Sequence, residues 1–424
     1  MTAALENIKV ERARKKMAKE KGATELSSLL SESEAISNSD QRQLRKSLGC
    51  IHAFAYIVSH LFGSGIFISP SLVARETSNM GMAIVVWVVV AIPCLFGALC
   101  FCELAIMLQK TGGEYIFIKE AFGNVAAFVT VWTQTFVIYP SGKAILAITI
   151  ADHIIAPFYD ITSTNGIWMT KGVAIFSMLI TVVINSVSTS FVSRTQVFFT
   201  VIQTAAVFFL AALGLWKVST GHTSNYNDMF ANTTRDFDVG SFGLALYNGL
   251  WAYDGWGLIS SITEELTNLK RDLWLSIVTG IPFVVFCYVL INFALMSVLT
   301  HDEIANSETV ATTFVQKIFG NKVALIMPPV VALSCFSCIN GAVFMLSRIF
   351  LSAAREGQLP EPLSYIHRDK RTPIPAAVFL FILTIFWILA NGTGTQTLIT
   401  SFSFAVWLTY TIAIASVLVL RVTK

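Results

Sequence analysis

The chain has 424 residues, 54% of them hydrophobic and only 13% charged, with a formal net charge of +3. An ordinary soluble domain carries about 25% charged residues, so the composition excludes a soluble globular enzyme and points to a membrane protein. Spread over such a chain, the small positive balance is no sign of a nucleic-acid partner.

Residues 1–46 are rich in Ser, Glu, Lys and Arg, lack apolar periodicity and are expected to be a disordered tail. No secretory signal peptide is read ahead of the first apolar run. Crossing about 30 Å of hydrocarbon takes roughly 20 apolar residues. Such runs occur at about 50–72, 81–107, 125–150, 168–189, 195–217, 241–263, 273–299, 323–354, 374–391 and 396–420. Ten transmembrane helices and an all-α membrane fold are therefore predicted. With the N-terminus placed in the cytoplasm, 21 of the 29 Lys and Arg residues fall on the inside, six fall outside, and Lys143 and Arg348 lie within spans.

The first span is interrupted at its centre by Gly63-Ser64-Gly65, and the sixth by Trp251-Ala252-Tyr253-Asp254-Gly255-Trp256. Paired interruptions at corresponding places in two halves are the sequence signature of a secondary transporter's binding site. The halves run over 47–217 and 241–424, joined by an outside loop at 218–240. Each holds five spans, and an odd number sets the halves in opposite orientations, giving a five-plus-five inverted repeat with discontinuous first and sixth helices. Where the helix unwinds at Gly63, Ser64 and Gly65, backbone amides and the positive end of the next half-helix suit a carboxylate. Glycine lets a ligand approach that backbone closely. Carbonyls freed at Tyr253, Asp254 and Gly255 suit an ammonium group, so the two breaks together describe a pocket for an amino acid. Close helix packing is the structural alternative for the glycines.

Asp254 lies at mid-membrane depth, where an acid is costly and usually functional. It can face a substrate amine, a cationic side chain or Lys143, or cap the second half-helix. Lys143 follows Tyr139-Pro140, where a proline kink would aim it into the bundle, or it snorkels to the outer surface. Asn232-Thr233-Thr234 is a glycosylation candidate in the longest outside loop. All seven cysteines sit in or beside apolar spans, and Cys335-Phe-Ser-Cys338 reads more as small-residue helix packing than as a metal or redox motif. Neither the six histidines nor the scattered acids form a triad or metal spacing, so no enzyme activity, cofactor or metal is expected.

The sequence resembles the L-type amino acid transporters, the light subunits of heteromeric amino acid transporters in the amino acid-polyamine-organocation superfamily. The resemblance covers about 47–424 and rests on GSGIFISP at 63–70, CELAIMLQKTGGEY at 102–115, WAYDGW at 251–256, TEEL at 263–266, LSCFSCIN at 333–340, SRIFLSAAREGQLP at 347–360, TPIPA at 372–376 and SFSFAVW at 401–407. It implies sodium-independent transport or exchange of amino acids across the plasma membrane by alternating access, with neutral and cationic amino acids as substrate classes. A non-transporting sensor and a sodium-coupled carrier of the same fold are the alternatives.

By resemblance, Gly63, Ser64 and Gly65 hold the carboxylate, and the backbone of Trp251, Ala252 and Tyr253 holds the amine. Trp251 stands where the family usually has a Phe that covers the substrate, and Phe404 and Trp407 shape the pocket. GGEY and REGQLP frame an inner gate or are simply tight turns. Gln203 is a coupling-site candidate, standing where the family commonly carries a Lys whose ammonium replaces a coupling sodium. Tyr139 replaces a basic residue, which argues against anionic substrates. The outside loop at about 151–167 has no Cys, so a heavy-subunit glycoprotein would not be joined through a disulfide there, while noncovalent pairing stays open. The family has twelve spans against ten here, and the inverted-repeat core is complete at ten.

Overall fold

The computed structural model describes residues 44, 46–63, 65–227, 229–230, 237–307, 309–390 and 395–423, with 395–401 described through the backbone alone. Residues 1–43 and 45 of the expected N-terminal tail, Ser64 and the Asn232 sequon lie outside the described residues. Within 46–424, every regular element among the described residues is helical, apart from an isolated bridge between Leu48 and Leu266.

The first span is two helices, α1 (Cys50–Phe62) and α2 (Gly65–Glu76). Next come α3 (Met80–Leu108), the short α4 (Glu114–Phe122), α5 (Asn124–Thr133), a π turn at Gln134–Ile138, and α6 (Tyr139–Ile155). The first run of spans closes with α7 (Thr164–Asn185) and α8 (Thr189–Ser219). The second run opens with α9 (Val239–Ala252) and a 3₁₀ stretch at Trp256–Glu265, then α10 (Leu269–Met296). It continues through the connecting helices α11 (His301–Ala305) and α12 (Val310–Phe319) to α13 (Met327–Arg355), α14 (Ile374–Ala390) and α15 (Thr395–Thr423).

Local chemistry sets these boundaries. The side chains of Asn79, Ser163, Ser188, Asp238 and Asn268 each accept a hydrogen bond from an amide of the following first turn, satisfying donors that a helix start leaves open. Among the described residues seven helical stretches, the broken first span taken as one, are long and apolar enough to cross a bilayer, and Ile374–Ala390 is a shorter apolar helix. The remaining predicted spans are divided, one at the π turn before Tyr139-Pro140 and the other at Tyr253–Gly255.

Packing relates the runs reciprocally. α1 packs on α10, while α9 and its 3₁₀ continuation pack on α3, so each broken helix lies against the second helix of the other run. Correspondingly, α6 and α13, the third helix of each run, pack on one another. The broken first span is almost wholly enclosed, whereas α7 and α8 carry outward-facing Phe176, Phe198, Val201 and Phe209. A lipid-facing rim thus surrounds a core built on the two breaks.

Candidate functional site

At the first break Gly63 adopts φ +32° and ψ −132°, its amide still donating to Ser59 O at 3.2 Å, and a new helix starts at Gly65. At the second, α9 stops at Ala252 and Gly255 turns the chain with φ +104°. The two breaks interlock. A Cβ on Gly255 would lie 1.7 Å from His60 Cδ2, and one on Gly65 would lie 2.8 Å from Ala252 Cα and 2.7 Å from Tyr288 Oη. Close helix approach therefore explains these two glycines, as well as any approach by a ligand.

Tyr288 joins the breaks. Its hydroxyl lies within donating distance of Leu61 O at 2.9 Å and Ala252 O at 3.0 Å, and its ring stacks on Trp87 with centroids 4.6 Å apart. The start of α2 presents the positive end of a helix and the end of α9 the negative end of another, side by side. Behind the first break, Ser334 Oγ donates to Gly63 O at 2.8 Å, and Gln203 Nε2 donates to Ser334 O at 3.0 Å and Oγ at 2.9 Å. Gln203 thus reaches the break through Ser334.

Two adjoining cavities share His60, Lys143, Asp254 and Phe402. Gly63, Gly65, Gly142, Trp251, Ala252 and Cys338 help line the one at the breaks. The other reaches Glu114, Gln134, Tyr139, Thr409 and Tyr410. Both are narrow, with room for one or two waters each, so the site is closed around its lining. Tyr410 donates its hydroxyl to Asp254 Oδ1 at 2.9 Å. Glu114, 2% exposed, accepts from Gln134 Nε2 at 2.6 Å and from Tyr139 at 2.8 Å.

Of the residues expected at the site, Gly63, Gly65, Trp251, Ala252 and Asp254 line a cavity, and Gly255 adjoins it through His60. Tyr253 turns its side chain away, donating to Trp87 O at 3.3 Å. Two aromatic assignments are corrected. Phe404 is 66% exposed and faces outward, while Phe402, two positions earlier and so about 200° round the helix, lines both cavities and meets Trp251 edge-on at 5.0 Å. Trp407 packs on Trp256 and Tyr410, behind the cavity wall. Lys143 is buried and faces the cavities rather than the outer surface. His60, Glu114, Tyr288, Phe402 and Tyr410 were not singled out by sequence, although 402, 406 and 410 share one helical face.

One end of the site is sealed by polar contacts. Arg348 Nε pairs with Glu265 Oε1 at 2.7 Å, both side chains being fully buried. Glu265 O accepts the amides of Ser47 and Leu48, each at 3.0 Å. Thr111, beside Gly112-Gly113-Glu114, is held by Ser352 Oγ, which donates to its carbonyl at 2.6 Å, and by Glu264 Oε1, which accepts its amide at 3.1 Å.

The amino acid permease family model matches residues 48–424. The chain belongs to the amino acid permeases. Among similar proteins, the b(0,+)-type amino acid transporter 1 of Oryctolagus cuniculus is 37% identical over 381 residues, covering 90% of this permease and 77% of the relative. The large neutral amino acids transporter small subunit 2 of Mus musculus is 35% identical over 392 residues, covering 92% and 73%. These relatives place the permease among the L-type amino acid transporters. A solved nucleobase-cation-symport-1 family transporter in a closed conformation superposes with a TM-score of 0.61 at 13% identity, covering 88% of this permease and 79% of that chain. That likeness shows a shared transporter fold, and the permease is a multi-pass membrane protein.

Proposed function

We propose that this permease exchanges amino acids across the plasma membrane, independently of sodium, by alternating access. The observation that carries the reading is the meeting of the two helix breaks. A zwitterion laid across them would set its carboxylate at the start of α2, around Gly63–Gly65, and its ammonium at the end of α9, around Trp251–Tyr253. Each charged end then meets a helix end of opposite sign, as transporters with discontinuous helices achieve. The names of the relatives, transporters of b(0,+)-type and large neutral amino acids, support the substrate class.

Independence from sodium is what likeness to the L-type amino acid transporters implies; Gln203, a neutral amide bonded through Nε2 to both oxygens of Ser334, departs from the family's Lys at the coupling position. Residues 47–217 and 241–424 serve as the two repeats, with the N-terminus and the sealed end of the site on the cytoplasmic side. The small-subunit name of one relative supports a larger partner. With all seven thiols free and no Cys in 151–167, pairing with a heavy-subunit glycoprotein would be noncovalent.

The test is uptake of labelled neutral, cationic and anionic amino acids by the purified chain in sodium-free liposomes, with and without unlabelled amino acid inside. Uptake stimulated from the opposite side is expected. Binding without uptake would favour a sensor, and uptake that requires sodium would favour a coupled carrier.

A further inference from the structure

Two basic residues, Lys143 and Arg348, lie within the apolar spans, and among the described residues only Arg348 has a counter-charge in contact. Arg348 is paired with Glu265. Lys143 is 5% exposed and makes no ion pair or hydrogen bond with any described residue, yet its side chain lines both cavities. A buried ammonium at membrane depth is costly unless a charge answers it. The π turn at Gln134–Ile138 and the Tyr139-Pro140 step fix its direction, starting α6 so that Gly142 and Lys143 face the breaks.

The groups around it decide what it answers. His60 comes from α1, Cys338 from α13 and Asp254 from the second break, all lining the cavity at the breaks. Glu114, at the start of α4, lines only the other cavity, where Gln134 and Tyr139 already hold it. Asp254 is the acid present in both cavities with Lys143, close enough for their charges to act on one another. One of its oxygens takes the Tyr410 hydroxyl.

We propose that Lys143 is a tethered counter-charge for Asp254 and so sets the side-chain class: the permease selects neutral amino acids. The proposal rests on reading the cavity at the breaks as the amino acid site. The substrate's own charged ends go to the two helix ends, leaving its side chain to meet Lys143 and Asp254. A cationic side chain would add a second cation against Asp254 with Lys143 already beside it. An anionic one would meet both Asp254 and Glu114. An uncharged side chain leaves the balance undisturbed.

Binding is the measurement, because it is read whether or not the protein transports. Labelled L-leucine on the purified full chain is displaced by unlabelled leucine, arginine or glutamate. The wild type should favour leucine over arginine by about tenfold or more, the low end of the scale for a unit charge a few ångströms away, where water still screens most of it. Lys143→Gln should bring arginine about tenfold closer to leucine, Lys143→Arg should keep the wild-type ratio, and adding Asp254→Asn to Lys143→Gln should remove the gain. If Lys143→Gln does not fold, Asp254→Asn alone decides, since it leaves the ammonium unopposed and should improve glutamate competition about tenfold. Equal binding of leucine and arginine by the wild type overturns the proposal, as do ratios in these variants that stay at the wild-type value. Absence of exchange in liposomes would sink the transport reading alone, with these binding ratios still deciding the role of Lys143.

Discussion

Replacing Gly255 with alanine tests whether the two breaks are locked together by His60. The substitution acts in two ways. At φ +104° and ψ −2° an L side chain is strained, by about 1–2 kcal/mol. The new Cβ would also sit 1.7 Å from His60 Cδ2 and 2.4 Å from Nε2, so the ring must retreat by about half an ordinary contact distance. The ring has little room, being 5% exposed with Cys338 Sγ 3.7 Å from Nδ1, and overpacking of that kind costs about 1–3 kcal/mol. The sum is a loss of about 2–5 kcal/mol. Thermal unfolding of Gly255→Ala, His60→Ala and the double variant would divide it. The double variant should recover the steric share, giving a coupling of about 1–3 kcal/mol, and keep the backbone share. Wild-type stability in Gly255→Ala, or a double variant no better than the sum of the singles, would refute the interlock.

Three further outcomes follow from named contacts. Phe402→Ala should weaken leucine binding by up to about tenfold, the scale of a lost aromatic contact of about 0.5–1.5 kcal/mol, while Phe404→Ala, on the outward face, should leave saturation binding unchanged. Glu265→Gln should lower stability by about 3–5 kcal/mol because it strands the buried Arg348 guanidinium, and replacing both residues with apolar ones of similar volume should recover most of the loss in a melting assay. Cys338 is the thiol that lines the cavity at the breaks. Added leucine should therefore slow its modification by a small alkylating reagent, read by mass spectrometry at that peptide, and an unchanged rate would argue against occupancy of that cavity.

Much of the architecture is legible in the sequence because the bilayer imposes it: spans need a fixed apolar length, and glycines at Gly63, Gly65 and Gly255 stand out against such runs. The position of the breaks, and the presence of Trp251 and Asp254 at them, follow from that contrast. The phase of a membrane helix does not, because its lipid face is as apolar as its core face and the 3.6-residue period loses its contrast. That is why Phe404 was expected in the pocket and Phe402 was not. Tyr288 and His60 escape for a different reason. Each acts on a backbone or glycine far away in the chain, and neither contact leaves a local pattern. Glu114 is hidden in a Gly-Gly-Glu-Tyr stretch that reads equally as a turn, and its inward position becomes visible only with Gln134 and Tyr139 beside it.

The most direct measurement is a cryo-electron microscopy map of the purified chain with saturating L-leucine. Density between the breaks is expected, its carboxylate at Gly63–Gly65 and its amine at Trp251–Tyr253. Leucine bound elsewhere, or with its two ends reversed across the breaks, would contradict that placement.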